Sequence, residues 1–411
     1  MANRKEERDL AAEIINYEPR YKLDELPEVQ ALAQPLPWPK KKNGESLAPK
    51  SQRLPKTPKP SAALPKADIV VVTWTVAEGF ALGDVLTPGY RDVRSKNKIP
   101  KNTTPWYTYR PSNFSEYKKK LRPAAPARKA NRLGSYFMTS IYSDVLKRNA
   151  KVLCFKSELH LNRDWVANRI SARTIPVADL FVQMIQESKP KLFITVGTAG
   201  GTLNKSTLGD VMVTRAAKFR FSKGFVKAPF ARAIYKCKSL SALSASQLKA
   251  TVPLLKQFQD RLDPKLVTRV PKIWVDGNYG SFPKFMPILT TDGFEFGTTK
   301  NGRGYKNYLG NLGCGVEMGD AVLGMVIKYL EDPTAKVPWE FSLPTPQALE
   351  SAKETIPKWL VVRNASDPQI NSNLTKKAAS NEAVFYYKKY GYFTSVNSAI
   401  AVWAVIRALR Y

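Results

Sequence analysis

The sequence predicts an α/β protein built as three layers, with a mixed, mostly parallel central sheet flanked by helices. Three observations carry that expectation. Short runs of aliphatic and β-branched residues, DIVVVT from Asp68, NAKVLCF from Asn149, LFITV from Leu192 and WLVV from Trp359, have the length and continuity of strands buried on both faces. Each run gives way to a polar or glycine-containing loop, and most then lead to a segment with apolar residues at helical spacing, such as Val177 to Glu187. The length of 411 residues and the 43% hydrophobic content suffice for one large core.

Taken in order, residues 2–17 read as a short amphipathic helix with Leu10, Ile14 and Ile15 on one side. Pro35 to Pro65 is rich in Pro and Lys (PWPKKK, LAPKSQRLPKTPKP), which favours extended, hydrated chain over a packed core. Residues 1–66 are therefore expected to be a helix and a disordered Pro/Lys-rich linker, and 67–411 the folded domain. Asp68 to Thr73 suits the first central strand, with a ligand-facing loop at Thr75 to Glu78. Residues 88–130 interleave Lys and Arg with Tyr and Trp, as a surface insertion facing a nucleotide or single-stranded nucleic acid would. A second basic insertion covers residues 219–271, with a helix over Ala245 to Arg261. Further strands are expected within Lys272 to Thr291, then a helix over Ala321 to Leu330. A last strand, Trp359 to Val362, precedes two helical stretches, Leu374 to Tyr390 and Ser395 to Leu409.

The centre of this plan is Lys191 to Thr214. Leu192 to Val196 reads as a buried strand that breaks into a glycine turn, Gly197 to Gly201, before a second strand, Val211 to Thr214. Such a turn frees backbone N–H groups for an anion or a sugar hydroxyl, and it is equally a simple connection between strands. It is not a phosphate loop, because Asn204 stands where that motif needs Gly before Lys205-Ser206.

Composition narrows the function classes. The 65 Lys and Arg against 34 Asp and Glu give a net charge of +31, a field that attracts nucleotides, nucleic acid or other polyanions, or a basic surface with no dedicated ligand. Cys154, Cys237 and Cys314 are far apart and outside any CxxC spacing, so neither a disulfide framework nor a zinc site is indicated, which suits a reducing compartment. No apolar run approaches the ~20 residues of a bilayer span, and the charged N-terminus lacks the apolar stretch of a signal peptide. The expectation is a soluble, cytoplasmic protein without membrane contact, metal or cofactor. His160 is the single histidine and no GxSxG is present, so a serine or cysteine triad would have to use His160.

Four segments in this order resemble the nucleoside phosphorylase/nucleosidase superfamily, the purine nucleoside phosphorylases together with methylthioadenosine/S-adenosylhomocysteine nucleosidase. They are VVVTWTVAE, VGTAGGTLNKSTLGDVMVT, TTDGFEF followed by GVEMGDA, and VVRNASD, spread over residues 67–411. The resemblance implies cleavage of the bond between ribose and a purine through an oxocarbenium-like transition state. It makes Asp367 the general acid that protonates the leaving base, with burial raising its pKa and Ser366 holding the loop. The Asp367-Pro368 pair is also a helix-capping signal. By the same resemblance Phe294 stacks on the base, Met318 lies beneath the ribose, Glu317 is the adjacent acid, Glu78 activates water, and Thr198, Ala199 and Gly200 line the substrate. The sequence departs from the family at Gly319, where a ribose-binding Glu is usual; Asp320, one residue on, is the candidate to replace it.

Thr195 stands where the phosphorylases carry an Arg for phosphate, and their Gly-Asp-Pro-x-Arg loop is absent, so hydrolysis is favoured over phosphorolysis. A nucleotide is a live alternative to a nucleoside as substrate, given the charge, and a non-catalytic nucleotide or nucleic-acid binding protein is a third reading. The resemblance also implies a homo-oligomer.

Overall fold

The computed structural model describes residues 36–88, 106–161, 175–203, 206–221, 225–243, 248–259, 267, 269–277, 282–293, 298–301, 304–332, 334, 346–368 and 376–411. The first half comprises β1 (Lys50–Gln52), β2 (Ile69–Thr73), α1 (Val76–Leu86), β3 (Tyr107–Tyr109), α2 (Phe114–Lys120), α3 (Pro126–Ala130), β4 (Gly134–Ser143), β5 (Arg148–Ser157), α4 (Pro176–Ser188) and β6 (Leu192–Gly201). The second half comprises β7 (Val211–Thr214), β8 (Ala216–Phe219), β9 (Ile234–Lys236), α5 (Val252–Gln259), β10 (Ile273–Val275), β11 (Ile288–Thr290), β12 (Thr298–Asn301), β13 (Gly304–Asn307), β14 (Gly315–Glu317), α6 (Asp320–Glu331), α7 (Pro346–Lys353), β15 (Lys358–Pro368) and α8 (Lys376–Ala408).

Thirteen strands form one mixed sheet, and β12 and β13 make a separate antiparallel pair. Its centre is parallel: β5 beside β2, β2 beside β6, and β6 beside β15. Ile69, Val70, Val71 and Val72 of β2 are wholly buried, as an aliphatic run covered on both faces requires. The two covering layers follow from side-chain alternation along β15, where neighbouring residues point to opposite faces. Arg363 meets Asp320 of α6 on one face, and Asn364 Nδ2 donates to Ser398 Oγ of α8 on the other. Helices α4, α6 and α7 pack together, as do α1, α5 and α8. Among the described residues no helix is long and apolar enough to cross a membrane.

Several sequence expectations change. The glycine segment is not a turn: β6 continues through Gly201, because those residues pair with β15 along one edge and with β14 at the end of the other. The two C-terminal helical stretches are one helix, which runs through Gly391, where a Cβ would lie 3.0 Å from the Tyr387 ring. The expected helix over 245–261 is confined to α5, after a short 3-10 turn at Lys249–Thr251.

The Pro/Lys-rich segment is packed from Leu36 onward, in contrast to the disordered linker that its composition predicts. Leu47 and Leu64 are buried, and β1 pairs with β4. Trp38 meets Trp403 edge-on at 5.0 Å, and Trp403 Nε1 donates to the Leu47 carbonyl at 2.9 Å. Composition reports correctly that this strap cannot build a core of its own; its few large apolar side chains dock on the domain's core instead. The expected helix over 2–17 lies outside the described residues.

The aromatic residues in the described part of the first basic insertion face the core, in contrast to the surface stacking expected of them. Tyr107, Tyr109, Phe114 and Tyr117 are buried, and the Tyr109 and Tyr117 hydroxyls donate to Glu187 (2.8 Å) and Gln183 (3.1 Å) on α4.

Leu47→Ala is expected to destabilise the protein by about 2–4 kcal/mol in urea unfolding, the cost of a large-to-small change in a core. A solvated linker would show no change.

Candidate active site

The edges of β6 have different neighbours along its length. β15 accompanies it from Leu192 to Gly201 on one edge. On the other, β2 pairs with Leu192 to Thr195 and ends, and β14 arrives antiparallel only at Gly200 and Gly201. The carboxyl ends of β2, β6 and β15 thus surround a break in the sheet, the kind of place where α/β folds bind ligands. The Glu78 side chain fills it.

Glu78 is the third residue of α1 and forms a capping box with Thr75, an arrangement legible in the sequence as T-x-x-E. Its Oε2 accepts from Thr73 Oγ1 (2.8 Å), Trp74 N (3.1 Å) and Thr75 N (2.9 Å). Oε1 accepts from Thr198 N (2.7 Å) and Thr198 Oγ1 (2.8 Å), so the open edge of β6 is satisfied by a carboxylate in place of a strand. Burial pushes the Glu78 pKa up, but the Arg363 charge and these donors outweigh it and hold the pKa below the usual carboxylate range. Tyr387 of α8 donates to Thr75 Oγ1 at 2.7 Å and fastens the box from outside.

Arg363 is the hub. Its guanidinium makes a two-point pair with Asp320, Nε to Oδ2 at 2.8 Å and Nη2 to Oδ1 at 2.6 Å. Nη2 also lies 3.5 Å from Glu317 Oε2, and Nη1 lies 3.8 Å from Glu78 Oε1 and donates to the Thr198 carbonyl at 3.2 Å. The indole of Trp74 covers it at 5.0 Å. Gly197 is the close approach that admits this assembly: a Cβ there would overlap both Glu78 Oε1 and Arg363 Nη1.

Glu317 ends β14 and caps α6, whose N-cap is a glycine without a side chain. It accepts from Gly319 N and from Asp320 N (3.0 Å), and the Thr290 hydroxyl donates to it. Burial, reinforced by the Asp320 carboxylate, raises its pKa to about 8 against the pull of Arg363 and these donors. Glu317 therefore keeps its proton to higher pH than an ordinary carboxyl does.

Asp320, the candidate to replace the missing ribose acid, is engaged by Arg363. It is wholly buried and both its oxygens are taken by Arg363. A side chain at Gly319 would press on the Trp74 indole, because a Cβ there would stand 3.3 Å from Trp74 Cζ2. The expected free N–H groups of the glycine segment are likewise committed: those of Thr198 go to Glu78, and Ala199 and Gly200 lie in the ladder with β15.

Asp367 closes β15. A one-residue bulge leaves Ser366 without a partner in the register, so that Asp367 stands opposite Gly200. Ser366 Oγ donates to Asp367 Oδ1 at 3.0 Å and lies 3.4 Å from the Ala199 carbonyl. Asp367 follows Arg363 by four residues, about 13 Å of strand. Met318, half-buried, follows Glu317 directly, and Phe294 lies outside the described residues. Arg363, Thr73, Trp74 and Thr290 escaped the sequence reading. The available signal was an Arg inside an aliphatic strand, a charge that needs buried partners.

A second charged group adjoins the break at the end of β5. Lys156 Nζ pairs with Glu158 at 2.5 Å, and Glu158 pairs with Arg132 at 3.0 Å.

No protein-family model and no curated protein matches the sequence. The chain is similar to nucleosidases of known structure. With 5′-methylthioadenosine/S-adenosylhomocysteine nucleosidase from Helicobacter pylori it shares 11% identity over 83% of this chain and 98% of that one, at a TM-score of 0.40. A putative nucleosidase of the same name from Borrelia burgdorferi shares 14%, covering 82% and 99%, at 0.39. Futalosine hydrolase of Helicobacter pylori shares 12%, covering 82% and 96%, at 0.39. These proteins belong to the superfamily that the four sequence segments resemble. At such identities and scores the chemistry of the site has to come from this chain's own residues.

The raised pKa of Glu317 predicts a pH effect with a definite sign. Between the ordinary carboxyl value of 4.5 and about 8 the folded protein keeps a proton that the unfolded chain has lost, so stability falls as pH rises through this window. Wild type should lose up to about 1.4 kcal/mol per pH unit relative to Glu317→Gln, whose amide needs no proton. Thermal unfolding of both proteins from pH 5 to pH 8 checks this, and parallel curves would refute it.

Proposed function

We propose that the protein is an N-glycosidase that cleaves the ribose–base bond of a purine nucleoside or nucleotide by attack of water. The observation that carries this reading is Asp367, set by the bulge opposite Gly200 with the Ser366 hydroxyl on its carboxylate, at the end of the strand that also bears Arg363. In this reading the base lies at Asp367 and the sugar toward the Arg363 cluster, four residues back along β15.

In this reading Asp367 passes its proton to the departing base, so the base leaves neutral. The sugar, which gains positive charge as the bond breaks, faces a site where the carboxylates of Glu78 and Asp320 outnumber the single guanidinium of Arg363. Glu78 enters with five donors on its two oxygens and serves first as fixed negative charge. For it to take a proton from water, the Thr198 hydroxyl has to turn away and vacate Oε1. Met318 and Phe294 remain the candidates for contact with the ribose and the base.

Hydrolysis is favoured over phosphorolysis by Thr195, which is wholly buried between β2 and β15 at the place where a phosphate-binding Arg would stand.

The test is release of free base, followed by chromatography, from a panel of adenine and guanine nucleosides and nucleotides with and without phosphate. Wild type should release base without phosphate, and Asp367→Asn should lower turnover by about 10²–10⁴-fold while substrate affinity changes little. Release only with phosphate would make it a phosphorylase; binding without release from any substrate would make it a non-catalytic binding protein.

A further inference from the structure

Helix α8 buries most of its large side chains, among them Tyr387, Tyr390, Tyr392, Phe393 and Trp403. Phe385 departs from that pattern and is 57% exposed. Asn381 and Lys389, one turn before and after it, are exposed as well, so the phenyl ring sits at the centre of the helix's solvent stripe. Half-buried Tyr386 meets Phe385 edge-on at 5.6 Å and stacks on Tyr390 at 6.4 Å with 22° between the rings. The Lys389 ammonium stands 5.9 Å from the Phe385 ring centre and 4.9 Å from that of Tyr390. An open aromatic face, a second ring braced against it and a cation thus share little more than one helical turn. Glu382 is the acidic side chain on this stretch, half-buried one turn before Tyr386.

Charge decides what such a surface takes. A second copy of the chain would bring +31 against +31, and a neutral partner would gain nothing from the field. A polyanion gains from every cation it meets. Among polyanions, a single-stranded nucleic acid also offers unpaired base faces, and bases stack on exposed aromatic rings while their phosphates meet neighbouring ammonium groups.

We propose that Phe385, Tyr386 and Lys389 on α8 form a stacking platform for single-stranded nucleic acid. The platform is distinct from the buried tyrosines of the first basic segment and does not depend on the glycosidase reading. It is mechanically close to that site, since Tyr387 on the same turn holds the Thr75 hydroxyl of the Glu78 capping box.

The test measures anisotropy of a labelled single-stranded oligonucleotide over a series of salt concentrations, with inorganic polyphosphate as a ligand that has charge but no bases. Phe385→Ala should weaken oligonucleotide binding about tenfold with the salt slope unchanged, and should leave polyphosphate binding as it was. Lys389→Ala should reduce the salt slope by about 0.7, the value of one phosphate contact on a single strand. Phe385 is exposed, so the thermal midpoint of Phe385→Ala, measured alongside, should match wild type. Three results would overturn the proposal: no oligonucleotide binding, equal weakening of both ligands by Phe385→Ala, or a wild-type dimer that Phe385→Ala dissociates.

Discussion

The structure is arranged around one buried cation. The Arg363 guanidinium leaves water entirely, which is unfavourable unless good geometry and further hydrogen bonds compensate it. Its partners come from places far apart in the chain: Glu78 at the start of α1, Glu317 at the end of β14, Asp320 at the start of α6, and the Thr198 carbonyl on β6. Two helix N-termini, at α1 and α6, point their free N–H groups at the same carboxyls, so each acid is held by a backbone and by a cation together. Removing Arg363 would leave Asp320 and Glu78 buried without their cation, and removing Asp320 would take away the guanidinium's two-point partner. That mutual dependence ties both covering layers to the sheet's central strands.

The topology makes room for this cluster. If β2 were as long as β6, it would fill the edge at Val196 to Ala199 and the sheet would be continuous. β2 instead ends at Thr73, and β14 reaches the same edge only at Gly200. The unpaired Thr198 N–H then needs an acceptor, and the carboxylate of Glu78 supplies it. Gly197 keeps the space clear beside the cation. The break that weakens the sheet is also the place where charge can be stored out of water, next to the strand end that carries Asp367.

Much of this plan is legible in the residues, and the remainder is hidden for identifiable reasons. β2, β5, β6 and β15 announce themselves as aliphatic runs, because strands covered on both faces cannot vary much in polarity. The capping box at Thr75 and Glu78 is local and readable, and Glu78, Glu317, Asp320 and Thr198 do come together. The glycines of β6 mislead because a glycine required by close packing looks the same in sequence as one required by a turn. Asp320 misleads similarly: a carboxylate near a site suggests a ligand, and only the fold shows that Arg363 has already taken it. The strap from Leu36 onward is opaque because its stabilising contacts are with Trp403 and α4, more than a hundred residues away.

The exterior and the sheet break use charge differently. The exterior, with an excess of 31 cations, draws anions toward the protein. At the sheet break the acids Glu78, Glu317 and Asp320 gather around the Arg363 guanidinium, with Lys156, Glu158 and Arg132 beside them. A sugar acquiring positive charge would be favoured there, most strongly once the carboxylates are shielded from solvent. Under the proposed N-glycosidase reading, acids gathered around one buried guanidinium suit a transition state in which the sugar carries positive charge.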